Sequence, residues 1–228
     1  MLWDIDGTLV RAGNVAKDVF ALAVEHAVGR HPGEHGVVMG GKTDPQIALE
    51  ILAGMGLDAG ADERHLPLVV SRLEAELSAA VHLIRERGYV LPGVPEILTA
   101  LDAEPDVVQS VLTGNTAVNA ATKLAAFGLD HWLDVEIGAF GSDDRERRAL
   151  VPVALRRAAE RRGWSLGPDD VWVVGDTPND FACARAGGAR CALVATGHTP
   201  IEELEGLGPD AVLEDLSDTD ALVKLLAS

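Results

Sequence analysis

Two carboxylates separated by one residue stand in the segment Asp4-Ile5-Asp6-Gly7-Thr8-Leu9, directly after the apolar pair Leu2 and Trp3. That placement puts them at the C-terminal end of a first strand, the edge at which open parallel sheets bind their ligands. If the strand geometry breaks at Gly7, one carboxylate faces a ligand directly and the other reaches it from the side. One can then attack while its neighbour moves protons. A calcium loop is the rival chemistry for so acidic a stretch, but numbering from Asp4 puts Leu9 where such a loop needs glycine and Val15 where it needs a bidentate glutamate. The remaining bland reading is a plain acidic turn.

Two further segments carry chemistry at strand ends. The run Val107 to Leu112 ends in Thr113-Gly114-Asn115, a hydroxyl and backbone N–H groups at a helix start, which suits an anionic oxygen. The bland role there is capping of the helix by Asn115 or Thr116. The run Val171 to Val174 ends in Gly175-Asp176-Thr177-Pro178-Asn179-Asp180. Thr177 with Pro178 reads as a helix N-cap and first position, which sets Asp180 in the first turn, facing the helix dipole, and leaves Asp176 on the loop before it. A free acid at a strand end beside other acids is costly unless a cation joins them.

The elements that must position these residues follow from apolar spacing. Val107 to Leu112, Val171 to Val174 and Cys191 to Ala195 read as buried strands, with Val135 to Ile137, interrupted by Glu136, as a shorter one. Helical spacing marks Thr116 to Phe127, Ala149 to Arg162 and Pro178 to Ala186, with Gly128, Gly163 and Gly187 as their stops. A last strand, Ala211 to Leu213, and a helix, Thr219 to Leu226, close the chain. Such alternation implies an α/β fold with a parallel sheet covered on both faces. Residues 14–88 differ: Val15, Phe20, Val24 and Val28 share one helical stripe, Leu66, Val70, Leu73, Leu77 and Ile84 another, and Asp44 to Met55 form an amphipathic piece between them. The expectation is an all-helical insert, 14–88, in a catalytic core made of 1–13 and 89–228, with Gly88 to Pro95 as one boundary.

Composition limits the partners. The 228 residues carry 19 Lys and Arg against 36 Asp and Glu, a net charge of −17 that disfavours nucleic acid and anionic lipid. Cys183 and Cys191 have no metal spacing and are too few for a disulfide framework, so a reducing cytoplasm is expected. The chain opens Met1-Leu2-Trp3-Asp4, without a basic and then apolar leader, and no apolar run approaches the roughly 18 residues of a membrane span. Only three residues precede Asp4, so the first strand is expected to fall short of the usual five or six or so.

With these segments in hand, the chain resembles the haloacid dehalogenase-like hydrolase superfamily over nearly its whole length, and within it the phosphoglycolate-phosphatase-like branch. Asp4 to Leu9 match its first motif in full, Thr113 the second, and Gly175-Asp176 with Asp180 the fourth. The resemblance implies a Rossmann-like core with a helical cap and a Mg²⁺-dependent phosphatase acting on a small phosphorylated metabolite. It makes Asp4 the nucleophile that forms an aspartyl-phosphate and Asp6 the acid and base. It assigns Mg²⁺ to the Asp4 carboxylate, the Asp6 backbone carbonyl and Asp176, with Asp180 in or near the shell, and phosphoryl oxygens to Thr113 and the Gly114 N–H, beside Asn115. An acidic cluster needs such a divalent charge before it can accept a phosphate.

The family's usual lysine before the helix that precedes its fourth motif is missing, since the lysines are Lys17, Lys42, Lys123 and Lys224. Arg145, Arg147 and Arg148 precede that helix, and Arg147 is assigned the duty, because Arg148 already turns with the helix and an arginine fork can bridge Asp4 and phosphate.

Gly36-Val-Val-Met-Gly-Gly41-Lys42-Thr43 matches the P-loop pattern, yet no buried strand precedes it and Val37-Val38-Met39 crowds the cradle. It reads better as the loop opening a helix capped by Thr43 or Asp44, with Pro45 at the first position and Lys42 facing substrate. A sugar phosphomutase of the same superfamily and a non-catalytic binding protein are the alternatives, and the chain is equally compatible with a monomer or a homodimer.

Overall fold

The computed structural model describes residues 1–57 and 60–227. The chain runs β1 (Leu2–Trp3), β2 (Val10–Arg11), α1 (Val15–Val28), α2 (Asp44–Gly54), α3 (Ala61–Ala79), α4 (Val81–Arg87), β3 (Tyr89–Val90), α5 (Val94–Asp102), β4 (Ser110–Thr113) and α6 (Ala117–Phe127). It continues with β5 (Ala139–Phe140), α7 (Leu150–Arg162), β6 (Trp172–Gly175), α8 (Pro178–Gly187), β7 (Arg190–Val194), α9 (Ile201–Gly206), β8 (Ala211–Leu213) and α10 (Thr219–Leu226). Six strands form one sheet in the order β5-β4-β1-β6-β7-β8, every pairing parallel, and this is a Rossmann-like α/β core.

Alternation along the strands buries both faces of that sheet. Trp3, Val111, Val174, Ala192 and Val194 point into one cluster with α5, α6 and α10. Their neighbours Leu2, Leu112, Val173, Cys191 and Leu193 point into the other, against α7 and α8. Short β1 is held from both sides, Leu2 pairing with Ser110 and Val173, so its two residues suffice to bring Asp4 to the sheet edge.

Between β2 and β3 the four helices α1 to α4 bury a cluster of their own, centred on Phe20, Val24, Ile51, Val69, Leu73 and Ile84. The stripe on α3 runs through Val69, Leu73 and Leu77, with Leu66 and Val70 only partly buried, and it breaks at Ala80 before α4 resumes. β2 and β3 pair antiparallel, Val10 opposite Val90, so the two crossings between the helical segment and the sheet lie side by side. No helix of the described residues is long and apolar enough to cross a membrane.

Two expectations fail locally. Val135–Ile137 is a 3₁₀ turn, not a strand: the Asp134 carboxylate accepts from Glu136 N at 3.2 Å, Arg162 pairs with both acids, and the strand follows at β5. The left-handed stop of α8 is Gly188 (φ 72°) and not Gly187, whose missing Cβ instead lets Val151 of α7 pack against the helix.

Candidate active site

The site is assembled at the C-terminal ends of β1, β4 and β6. Asp4 N donates to Val174 O at 2.8 Å, which ties the first acid to the neighbouring strand. The chain then reverses: Leu9 N and Val10 N both donate to Ile5 O at 3.0 Å, with Gly7 at φ 89°, a conformation that only glycine adopts cheaply. The turn sends Asp4 and Asp6 to different surroundings.

Asp4 joins Asp176 and Asp180. All three are buried, and one oxygen of each lies within 4.8 Å of the others. Arg147, itself buried, reaches Asp4 Oδ1 at 3.1 Å and also pairs with Asp180. Of the neighbouring arginines, Arg145 pairs with Glu63 and Arg148 is exposed, so Arg147 alone of the three enters the cluster. Asp180 Oδ2 accepts from Thr177 N and Oγ1 at 3.0 and 2.7 Å, closing a capping box at the start of α8, so this acid anchors both the helix and Arg147. Asp176 accepts from Thr8 Oγ1 at 3.3 Å and is wedged between Gly7 and Gly197, at either of which a Cβ would collide with its carboxylate. The loop bearing Gly197 is fixed by Thr196 Oγ1 donating to Gly7 O at 2.6 Å and by the Arg11 guanidinium on the Thr196 and Gly197 carbonyls.

Crowding of like charges in a buried place shifts protonation. Burial, then Asp180 and Asp4, push Asp176 up to about 8. Burial, opposed by Arg147 and assisted by Asp180 and Asp6, pushes Asp4 up to about 6. Burial disfavours the Arg147 cation as well, but Asp180 and Asp4 outweigh it and hold the guanidinium charged. Three carboxylates face one guanidinium, so the cluster is short of positive charge, and its donors are all oxygens. That set fits a hard divalent cation such as Mg²⁺.

Asp6 lies outside this cluster. Its Oδ2 accepts from Lys123 Nζ at 2.6 Å and from Asn115 Nδ2 at 2.8 Å. Its side chain therefore faces a different cation, which leaves only its backbone carbonyl for the metal-ligand role expected from sequence. Thr113 Oγ1 accepts from Asn115 N at 3.3 Å and Nδ2 at 2.8 Å, so its own proton is free to donate. Asn115, expected to meet substrate, instead spends its amide on Asp6, Thr113 and Lys123.

Lys42 departs from expectation too: its ammonium pairs with Glu50 of α2 at 2.5 Å and is not brought to the acids. What reaches the site from this loop is main chain and the Thr43 hydroxyl. Asp44 N donates to Gly114 O at 2.7 Å, Thr43 Oγ1 to Arg145 O at 2.7 Å, and Gly114 lies so close to the Lys42 carbonyl that a side chain could not fit between them. Thr43 caps α2, accepting from Gln46 N at 3.2 Å, and the element leading into the glycine-rich loop is helix α1 and not a strand, which removes the P-loop reading. Asp44 Oδ2, buried, accepts from Thr116 N at 2.9 Å and Asn119 Nδ2 at 2.7 Å at the start of α6.

Sequence reasoning missed Lys123, Thr8, Gly197 and Asp44. A signal existed for the first: Asn119 and Lys123, four residues apart, form a buried polar stripe on a helix whose other inward residues are Ala120 and Leu124, and Asn115, four residues before Asn119, precedes that helix.

A sequence model described as haloacid dehalogenase-like hydrolase matches residues 1–185. The chain is 25% identical over 232 residues to phosphoglycolate phosphatase of Escherichia coli K12, covering 95% of this chain and 88% of that protein. It is 28% identical over 227 residues to phosphoglycolate phosphatase of Rhodospirillum rubrum, covering 95% and 87%. Among solved structures, a predicted phosphoglycolate phosphatase of Haemophilus somnus 129PT superposes with a TM-score of 0.68 at 20% identity, covering 97% of this chain and 96% of that one.

Proposed function

The chain belongs to the haloacid dehalogenase-like hydrolase family, and from that premise we propose that it is a Mg²⁺-dependent phosphatase that hydrolyses a small phosphate monoester through an aspartyl-phosphate at Asp4. The observation that carries this reading is the separation of the two paired acids: Asp4 lies with Asp176, Asp180 and Arg147, while Asp6, two residues on, is held by Lys123. Two carboxylates in unlike surroundings take unlike roles.

In the first half-reaction an Asp4 oxygen attacks phosphorus, the bond to the leaving oxygen breaks, and Asp6 gives that oxygen its proton. In the second, Asp6 takes a proton from water, whose oxygen attacks the same phosphorus and frees the Asp4 carboxylate. The Thr113 hydroxyl and the Gly114 N–H bind phosphoryl oxygens, and Arg147 offsets charge on Asp4. Asp4, Asp176 and the Asp6 carbonyl, with Asp180 beside them, would hold Mg²⁺, which would supply the positive charge that lets a phosphate dianion approach these acids. The helical segment between β2 and β3 serves as a cap that excludes bulk water, its main chain touching the phosphate loop at Gly114 and the start of α8 at Asn179.

The names of the relatives make 2-phosphoglycolate the first substrate to test. Release of inorganic phosphate is measured across a panel of phosphorylated metabolites with and without Mg²⁺, for the native chain and for Asp4→Asn. Mg²⁺-dependent release that vanishes in Asp4→Asn supports the reading; turnover that survives the substitution refutes it. Accumulation of a bisphosphorylated sugar would identify a phosphomutase instead.

A further inference from the structure

We propose that Lys123 is a positioning residue for Asp6, holding the proton-transferring carboxylate in register with the leaving group; this rests on the phosphatase reading above. Lys123 stands two turns into α6, and the residue is 5% exposed. Taking such a group out of water is costly unless partners satisfy it. Its partners are not core groups but two residues of the catalytic loops, Asp6 Oδ2 at 2.6 Å and Asn115 Oδ1 at 2.7 Å. Asn115 closes the triangle by donating to the same Asp6 oxygen at 2.8 Å, and it is itself pinned to Thr113 at 2.8 Å.

Both donors converge on Oδ2 and leave Oδ1 of Asp6 without a hydrogen-bond partner among the described residues. The Asp6 side chain is 42% exposed although the lysine that grips it is buried. One oxygen is thus clamped from within the fold while the other stays free for a proton. Rotation of the carboxylate is suppressed, and proton transfer depends on such placement within hydrogen-bond reach. Each acid of the pair has its own cation, Arg147 for Asp4 and Lys123 for Asp6.

The leaving group supplies the test. A 4-nitrophenolate departs without a proton, whereas an alkoxide needs one, and kcat/KM reports events up to leaving-group departure. Lys123→Met keeps the apolar stem and removes the donor. It should lower kcat/KM for an alkyl phosphate such as 2-phosphoglycolate by about 100-fold, and that for 4-nitrophenyl phosphate by less than about threefold. Lys123→Gln, which keeps an N–H donor, should recover part of the alkyl activity, and it stands in if the methionine variant does not fold. Equal losses on both substrates, or no loss on either, would overturn the positioning role while Asp4→Asn remains inactive. Turnover of either substrate by Asp4→Asn would overturn the underlying phosphatase reading, and the proposal with it.

Discussion

The guanidinium of Arg147 lies 3.1 Å from Oδ1 of Asp4, and the same group pairs with Asp180 in a place with almost no access to water. A single buried cation therefore joins the two acids that follow β1 and β6. Deleting one partner of a buried ionic cluster leaves charge uncompensated, which costs about 3–5 kcal/mol. Arg147→Met should lower the midpoint of urea unfolding accordingly and abolish turnover. Arg147→Lys, which restores a charge without the fork, should recover stability in part. An Arg147→Met protein as stable as the native chain would show that the acids are neutral in the fold.

Protonation of the acids gives the metal-free protein a characteristic pH dependence. Burial raises Asp4 to about 6 and Asp176 to about 8, whereas in the unfolded chain both return to about 4. The fold thus binds protons that the unfolded chain releases. Their contribution to stability is complete below about pH 4 and is lost as pH rises through about 6 and then about 8. Without divalent ions, the unfolding midpoint should fall between about pH 5 and about pH 8, and Asp176→Asn should flatten that fall. Mg²⁺ needs the deprotonated carboxylates, so it should raise the midpoint most at the alkaline end. A midpoint that climbs with pH in chelator would contradict the arrangement.

Gly197 is the cleaner of the two glycines that confine Asp176, because its backbone needs no left-handed conformation while its missing Cβ leaves room for the carboxylate. Gly197→Ala should displace Asp176 and weaken Mg²⁺ binding at least about tenfold, with the rest of the fold retained. Titration calorimetry with Mg²⁺, alongside circular dichroism, checks both halves. Unchanged affinity would free Asp176 from its assigned role.

Asp44 joins the helical segment to the core by accepting two hydrogen bonds at the start of α6. Asp44→Ala strands two buried donors, Thr116 N and Asn119 Nδ2, and should cost about 1–3 kcal/mol in denaturant unfolding. No measurable loss would mean that water replaces the carboxylate, and that the contact between α2 and α6 opens readily.

The gathering of Asp4, Thr113 and Asp176 at one sheet edge is legible because loop motifs are local: each stands at the end of a short apolar run, and parallel strands bring such ends together. The helices between β2 and β3 are legible from a period that persists over several turns. Val135–Ile137 was not, because three apolar-rich residues fit a strand or a turn equally, and the Asp134 side chain decided for the turn. Lys123 was missed for a different reason. Its meaning depends on α6 packing across β1, a distance of 117 residues along the chain from Asp6, and no local pattern records that encounter. Lys42, prominent in its motif, was over-read: a glutamate two turns along α2 claims it first.

Covalent transfer to one named carboxylate is the heart of the proposed mechanism, and such an intermediate can be trapped. Enzyme quenched during Mg²⁺-supported turnover is reduced with borohydride, which converts an acyl phosphate to an alcohol, and the N-terminal peptide is sequenced by mass spectrometry. Homoserine at position 4, with Asp6, Asp176 and Asp180 unchanged, is the predicted result. Intact Asp4 in a protein that is turning over, or modification of a different carboxylate, would contradict it.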